Sequence, residues 1–395
     1  MTRRLILGAS PAFAFVLTMG IVNLFADVTY EGGASINGPF LGMLGASAAM
    51  ISIVAGAGEF CGYALRLASG YLADTTGRYW PITFVGYGVN LVVVPALALA
   101  GNWRVAAALV VAERVGRAIR KPTVEAMLSY TTGTLGTGWV YAVNTALDET
   151  GATLGPQLVA LVLAMHGSYR TGYAVLLVPA ALALAALTAA RIIFPLPARL
   201  EVGRTAPAMH FTRAYWLYML AGTFFAAGLM SFELISYHLA RAGLVTGAAI
   251  PVVLAIATVG GIVASLVFGR LHDRIGPQVV LIAVPLSALF PPLVFLGSFP
   301  VALLGMGLWG VGYATQDTLL KALIAGVLPE GRRNFAFGLF YAGYGSGWLL
   351  GSIATGLLYE RSRPALIAFS VAAQLVALAV FFVATHAARA DAATT

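Results

Sequence analysis

Ser69–Arg78 reads SGYLADTTGR, and Phe268–Pro277 reads FGRLHDRIGP. Laid one on the other, they set Gly70 on Gly269, Asp74 on Asp273 and Gly77 on Gly276, at a constant offset of 199 residues. A second pair agrees with them: Gly151 and Gly155 fall on Gly347 and Gly351 at an offset of 196. One Gly–Asp–Gly match arises easily by chance, but two matches at corresponding places in two halves do not. The chain therefore repeats once, in the same order, and what surrounds the two short loops is built twice.

What surrounds them is apolar. Of 395 residues, 60% are hydrophobic and 10% charged, against roughly 25% charged in a soluble domain. Mean hydropathy is +0.88. So few charges cannot cover a water-facing surface, and so much apolar content excludes disorder. The single cysteine, Cys61, permits no internal disulfide and no cysteine-built metal site. Stretches of about 20 apolar residues span a bilayer as helices. Twelve are read here, near 6–30, 40–70, 81–101, 104–130, 138–165, 171–193, 214–240, 246–269, 278–297, 300–328, 335–359 and 364–387. They are long and continuous, which excludes a β-barrel. The first is too long for a secretory signal and contains Asn23 and Asp27, so it is read as a span. Residues 194–213 carry Pro195, Pro197 and Pro207 with several charges, and they separate six spans from six. The expected domains are thus 1–193, a cytoplasmic linker 194–213, and 214–395.

With both termini inside, the inside loops and tails hold twelve basic residues and the outside loops five. That bias sets the expected orientation. The net charge of +8 is then a topology signal plus buried charge, with no water-facing basic patch for nucleic acid.

The pattern G-x-L-x-D-x-x-G-R, carried by Gly70, Leu72, Asp74, Gly77 and Arg78, resembles the signature loop of the major facilitator superfamily. The degenerate second copy sits where that superfamily places it, and the resemblance covers the whole chain. It implies an all-α membrane protein with 12 transmembrane helices in two parallel six-helix bundles around a central cavity. In that superfamily the loop helps latch the cytoplasmic gate, so Gly70, Asp74, Gly77, Arg78 and Asp273 become gating candidates. Thr75 and Tyr79 stand where many relatives carry basic residues. GATLGP, Gly151–Pro156, resembles the tail of a motif of drug/proton antiporters, with Ala142 where an upstream glycine is expected. The runs GEFCGYALRLASGYLADTTGRYW and ERVGRAIRKPTVEAM look like one bacterial branch of the superfamily.

The few charges that lie inside spans point to the site. Spans three, six, nine and twelve hold none, whereas spans one, two, four, five, seven and ten do. A charge facing lipid costs at least about 2.5–3.5 kcal/mol. Charged helices should therefore face one another or a wet cavity, with the uncharged four as the lipid-facing shell. On span four, Glu113, Arg114, Arg117, Arg120, Lys121 and Glu125 fall within about 140° of a helical wheel. Glu113–Arg117 and Lys121–Glu125 sit at the spacing of self-satisfying pairs. Arg117, near the helix midpoint, is read as the central cavity cation. The acids are Asp27 on span one (with Glu31 at the outer rim), Glu59 on span two, Asp148 on span five on a face with Asn144, Glu233 on span seven and Asp317 on span ten, at the i,i+4 spacing of a self-satisfied pair with Lys321. Tyr313, Tyr341 and Tyr344 are candidates for lining the second half of a cavity.

No H-E-x-x-H, P-loop or G-x-S-x-G occurs, so no metal, ATP drive, cofactor or enzymatic activity is expected. The substrate and proton pathway is accordingly placed on Asp27, Glu59, Glu113, Arg117, Arg120, Asp148, Glu233 and Asp317. The expected function is secondary active transport of a small polar organic solute across a bacterial plasma (inner) membrane, proton-coupled and in the export direction, by a monomer in contact with lipid. The alternatives are a lipid or lysolipid flippase on the same fold, and a non-transporting receptor or scaffold.

Overall fold

The computed structural model describes residues 11–129, 131, 137–195, 211–320, 323–324, 327 and 333–394. The side chains of Asp74, Asp273, Asp317 and Lys321, and the linker between 196 and 210, lie outside the described residues. Every regular element among the described residues is a helix. Eight helices are long and apolar enough to cross a membrane. Trp103–Ser129, Thr137–Ala164, Phe299–Ala314 and Arg333–Arg361 supply the other four spans. The chain is thus an all-α membrane protein, as the hydropathy pattern predicts.

Span one extends further than its hydropathy suggests. It runs from Pro11 to Met43 without a break, through Gly32, Gly33, Gly38 and Pro39. The helix thus continues past the expected end near residue 30 and includes Glu31. The glycines are tolerated because other backbones approach them closely. A Cβ on Gly32 would stand 3.1 Å from the Gly155 carbonyl oxygen, and one on Gly38 would overlap that of Glu233.

The internal repeat has a structural counterpart. A Cβ on Gly151 would overlap the carbonyl oxygen of Leu24, and one on Gly155 would crowd that of Val28, so span five lies directly on span one. In the second half Gly347 and Gly351 meet the carbonyl oxygens of Thr223 and Ala227 in the same manner, setting span eleven on span seven. The loop glycines repeat as well. Gly77 ends span two at φ +64°, and Gly276 ends span eight at φ +71°. Only glycine adopts that left-handed conformation without strain.

Span seven departs from expectation. It is broken into Arg213–Gly228 and Phe232–Arg241. Ser231 caps the second piece, its hydroxyl accepting from the Leu234 N–H. The carbonyls that the break frees must be satisfied inside protein. The Gly228 oxygen accepts from Ser370 Oγ and, at 3.4 Å, from Gln374 Nε2, while the Met230 oxygen accepts from Trp309 Nε1 at 2.8 Å. Span ten also changes character: after Phe299–Ala314 it continues as a π-helical turn over Thr315–Leu320.

Cα proximity divides the chain into two compact units. One gathers Met1–Gly33, Ala68–Ala100 and Ala112–Arg204; the other gathers Ala34–Leu67, Gly101–Val111 and Thr205–Thr395. In the second unit span two lies along span eleven. Ser52 Oγ donates to the Ser352 carbonyl oxygen at 2.6 Å, and a Cβ on Gly56 would stand 2.5 Å from that of Ser352. The uncharged spans do expose apolar side chains, such as Val85 and Val92 on span three. Span eight exposes Val259, Val263, Leu266 and Val267 as well. The exposed apolar surface is therefore not confined to spans three, six, nine and twelve.

Candidate functional site

Span four is helical throughout Trp103–Ser129, with Pro122 inside it. Its arginines at 114, 117 and 120 therefore climb one side at three-residue intervals. Span three comes close to them because both helices carry glycine at the contact. A Cβ on Gly116 would stand 2.5 Å from the Asn90 nitrogen, and one on Gly86 would stand 2.6 Å from the Arg120 nitrogen. This approach brings Tyr87 and Asn90, both fully buried, into the polar stripe.

Arg120 is the hub of the first unit. Its side chain is buried, and Nη2 lies 3.2 Å from Asp27 Oδ1. Nη1 donates to Asn23 Oδ1 at 3.3 Å, which also accepts from the Tyr87 hydroxyl. The guanidinium carbon sits 4.6 Å from the Tyr87 ring centroid. Asn23 Nδ2 in turn donates to Asn144 Oδ1 at 2.9 Å, and Asn144 Nδ2 to Asp148 Oδ2 at 3.1 Å. One connected path thus joins two carboxylates, Asp27 and Asp148, through a guanidinium and two amides from spans one, four and five, with Tyr87 of span three hydrogen-bonded to it. Asp148 Oδ1 and Arg120 Nε are buried with no hydrogen-bond partner among the described residues. Asp148 also feels Asp27 and Glu149 as like charges, and Lys121 and Arg120 as opposite ones.

A second cluster lies about two turns along span four. Asn90 Nδ2 donates to Glu113 Oε1 at 2.7 Å. Glu113 Oε2 lies 3.5 Å from Arg114 Nε. Arg114 also donates to the Tyr30 hydroxyl, and Arg117 places its guanidinium 4.1 Å from the centre of the same ring. Cations over aromatic faces hold their charge in a low-dielectric setting.

The second unit holds a neutral network. Gln316, in the π-helical turn, donates from Nε2 to the Tyr63 hydroxyl at 2.6 Å and accepts at Oε1 from the Tyr344 hydroxyl at 2.9 Å. Tyr63 stacks on Tyr341 with centroids 5.4 Å apart and rings 3° from parallel. Arg66 lies 5.0 Å from the centre of the Tyr63 ring.

The candidate residues thus separate. Asp27, Arg120 and Asp148 share one network. Glu113 and Arg117 belong to the neighbouring cluster, with the Arg117 guanidinium over the Tyr30 ring. Glu59 is half-buried on span two and Glu233 buried in the first turn of Phe232–Arg241, both in the second unit. Asp317 falls in the π-helical turn, but its side chain lies outside the described residues. Among the gating candidates, Gly70 packs against Pro122 at 3.6 Å from a built Cβ, beside a Ser69 hydroxyl that donates to the Ala118 oxygen at 3.0 Å. Arg78 is exposed, and the side chains of Asp74 and Asp273 are not described.

A family model described as Major Facilitator Superfamily matches residues 12–316 and 245–394. The chain belongs to this superfamily. It is a multi-pass membrane transporter of a small-molecule substrate. An uncharacterized protein of Mycobacterium tuberculosis is 36% identical over 382 residues, covering 95% of this chain and 93% of the relative. An uncharacterized MFS-type transporter of Methanocaldococcus jannaschii is 24% identical over 362 residues, covering 88% and 89%. A solved structure of the nucleoside transporter NupG superposes with a TM-score of 0.78 over 94% of this chain and 99% of that one, at 12% identity. That likeness concerns the fold of the superfamily.

Tyr30, Tyr87 and Asn90 escaped the sequence reading because they are uncharged and two of them lie on a span without charges. A signal for them existed in the glycines that face each other across spans three and four, Gly86 and Gly116.

Proposed function

We propose that this transporter moves a small polar organic solute by alternating access and couples that movement to protons through Asp27 and Asp148. The observation that carries the reading is the shared guanidinium: two intramembrane carboxylates are joined by one hydrogen-bonded path to a single buried arginine. An arginine remains charged. It neutralises one carboxylate well and two poorly, so the second acid favours a proton. Asp148, with one oxygen buried and unpartnered, is the acid that takes it. A proton arriving on Asp148, or leaving it, changes which carboxylate Arg120 must satisfy. That is a differential interaction able to bias two conformational states. Arg114 and Arg117 extend the positive stripe, which suits a solute with an anionic or zwitterionic group.

The test uses liposomes holding a trapped pH dye and the reconstituted protein, screened against metabolites and drugs for solute-dependent proton flux. Solute-driven proton movement is expected in the wild type and absent in Asp148→Asn, which should still exchange labelled solute without a gradient. Solute flux that ignores an imposed pH gradient would sink the coupling. The orientation with cytoplasmic termini, the plasma membrane, the export direction and the gating role of Asp74, Arg78 and Asp273 belong to the same proposal.

One observation favours a second reading, lipid translocation. An apolar groove of about 540 Å³ in the first unit is lined by Leu24, Phe25, Leu154, Leu158 and Leu182, with Gln157 among them. Flipping of a fluorescent lysolipid in the same liposomes, measured by quencher protection, separates the two.

A further inference from the structure

Away from the network described above, the second unit contains a pocket of about 660 Å³ beside the loop that joins spans one and two. Six of its lining residues matter here: Ser47, Tyr237, Arg241, Tyr359, Glu360 and Arg363. They come from the loop, the end of span seven, the end of span eleven and the start of span twelve.

The charges in this pocket do not cancel. Glu360 is its one carboxylate, and it is already engaged. Its Oε1 accepts the Ala49 N–H at 3.0 Å, at the start of span two. Arg241 donates to the Tyr237 hydroxyl, a neutral partner, and forms no ion pair among the described residues. Arg363 has neither an ion pair nor a hydrogen bond among the described residues. Arg363 is moreover the first residue of its helix, where the exposed N–H groups already make the potential positive. Both guanidiniums are exposed, and Glu360 is near enough to attract Arg241, so an accompanying anion would add to rather than create the stability of the cations here. The beginning of span two, Ala48, lines the same pocket, but Glu360 and the Ser47 hydroxyl already cap that helix start. Two guanidinium forks, two tyrosines and one helix start therefore border one concave space with a single, occupied carboxylate. Guanidinium forks match the geometry of carboxylate and phosphate oxygens.

We propose that this pocket binds an oxyanion, a carboxylate or phosphate group held between Arg241 and Arg363 with the Tyr359 hydroxyl at its side. The proposal is independent of proton coupling and of the solute carried through the first unit. A free anion and the phosphate of an anionic lipid headgroup share the required chemistry, and the experiment separates them.

The full-length protein is placed in nanodiscs of phosphatidylcholine and titrated with inorganic phosphate, chloride being exchanged to hold ionic strength constant, while thermal unfolding is followed. A parallel sample uses discs containing one-fifth phosphatidylglycerol without added phosphate. Arg363→Gln, Arg241→Gln and Arg363→Lys are compared with wild type and with Arg361→Gln, an exposed arginine that does not line the pocket. Phosphate is expected to raise the unfolding midpoint of wild type and Arg361→Gln. Apparent affinity should fall at least about tenfold in each glutamine variant and less in Arg363→Lys, which keeps the charge and loses the fork. If only phosphatidylglycerol stabilises, and Arg363→Gln abolishes that effect, the pocket binds the lipid headgroup and the proposal holds with that source. The proposal is overturned if neither anion stabilises wild type, if stabilisation survives Arg363→Gln and Arg241→Gln, or if Arg361→Gln weakens it equally. Should one glutamine variant fail to fold, the other carries the test.

Discussion

The two units are built on the same glycine-mediated helix contacts, Gly151 and Gly155 on span one and Gly347 and Gly351 on span seven, yet a prominent hydrogen-bond network in each is of a different kind. The first unit joins its helices through charge: Asp27, Arg120 and Asp148 connected by amides, with Arg114 and Arg117 on Tyr30. The second joins span two to spans ten and eleven through a neutral glutamine and stacked tyrosine rings. Buried charges lose a great deal when a partner leaves, whereas neutral hydrogen bonds and ring contacts can be broken and remade at about 1 kcal/mol each. The difference suggests a division of labour on one scaffold. On the proposed function, the charged network would hold and exchange protons while the neutral network rearranges. The π-helical turn at Thr315–Leu320 and the break at Leu229–Ser231 both lie on the neutral side, and irregular turns of this kind often mark working parts of membrane helices.

The sharpest way to break this contrast is at Arg120. Arg120→Ala leaves Asp27 and Asp148 buried without their shared cation. The expected loss of stability is about 3–5 kcal/mol, the range for removing one partner of a buried pair. Denaturation in detergent measures it. Asp27→Asn added to Arg120→Ala should recover a large part, because the uncompensated charge is removed along with its partner. If the double variant is as unstable as the sum of the single ones, the two residues do not act as a pair and the charged hub dissolves. Transport should remain absent in the double variant, since stability and ion exchange rest on different features of the network.

On the neutral side the corresponding change is Gln316→Leu, which strips partners from the hydroxyls of Tyr63 and Tyr344 at once. A buried hydroxyl left unsatisfied costs about 1–3 kcal/mol, so the loss should be smaller than at Arg120. The same variant with Tyr63→Phe should regain part of it. Proton coupling in the liposome assay should be unchanged in Gln316→Leu while the turnover rate shifts. A lost pH dependence in this variant would contradict the division between the halves.

How far these features could be read from sequence depends on what sort of signal carries them. The repeat was legible because glycines leave a positional mark, and those marks prove to be real contacts, as at Gly151 and Gly347. The polar stripe of span four was legible because charges are rare in this chain. Which arginine serves as the hub was not. Arg117 and Arg120 differ by one turn, and only the placement of Asn23 and Tyr87 from other helices decides between them. Neutral polar residues on uncharged spans, such as Asn90, are silent in a charge count. The break in span seven was likewise hidden, because Gly228–Ser231 is apolar enough to pass for helix, and its carbonyl partners, Trp309, Ser370 and Gln374, lie 79 to 146 residues away.

The smallest expected effect tests a charged contact at the edge of the second unit. Glu360 lies just past the apolar stretch of span eleven. A hydrogen bond from Ser47 and the Ala49 N–H hold its carboxyl below the usual carboxylate range. Because the folded value is depressed, the tether contributes above the ordinary glutamate value, about 4.3, and is lost as pH falls through the lower folded value. Because the carboxylate is exposed, solvent screening should leave it less than the ~1 kcal/mol of a good helix cap. Glu360→Gln should therefore lower the unfolding midpoint slightly at pH 6, with the gap to wild type closing as pH falls below the ordinary glutamate value. A gap that stays constant across that range would mean that the contact acts by shape rather than by charge. Charge at this edge would then add nothing to the stability of the second unit, whose ionisable groups Glu59, Arg66 and Glu233 lie elsewhere in it.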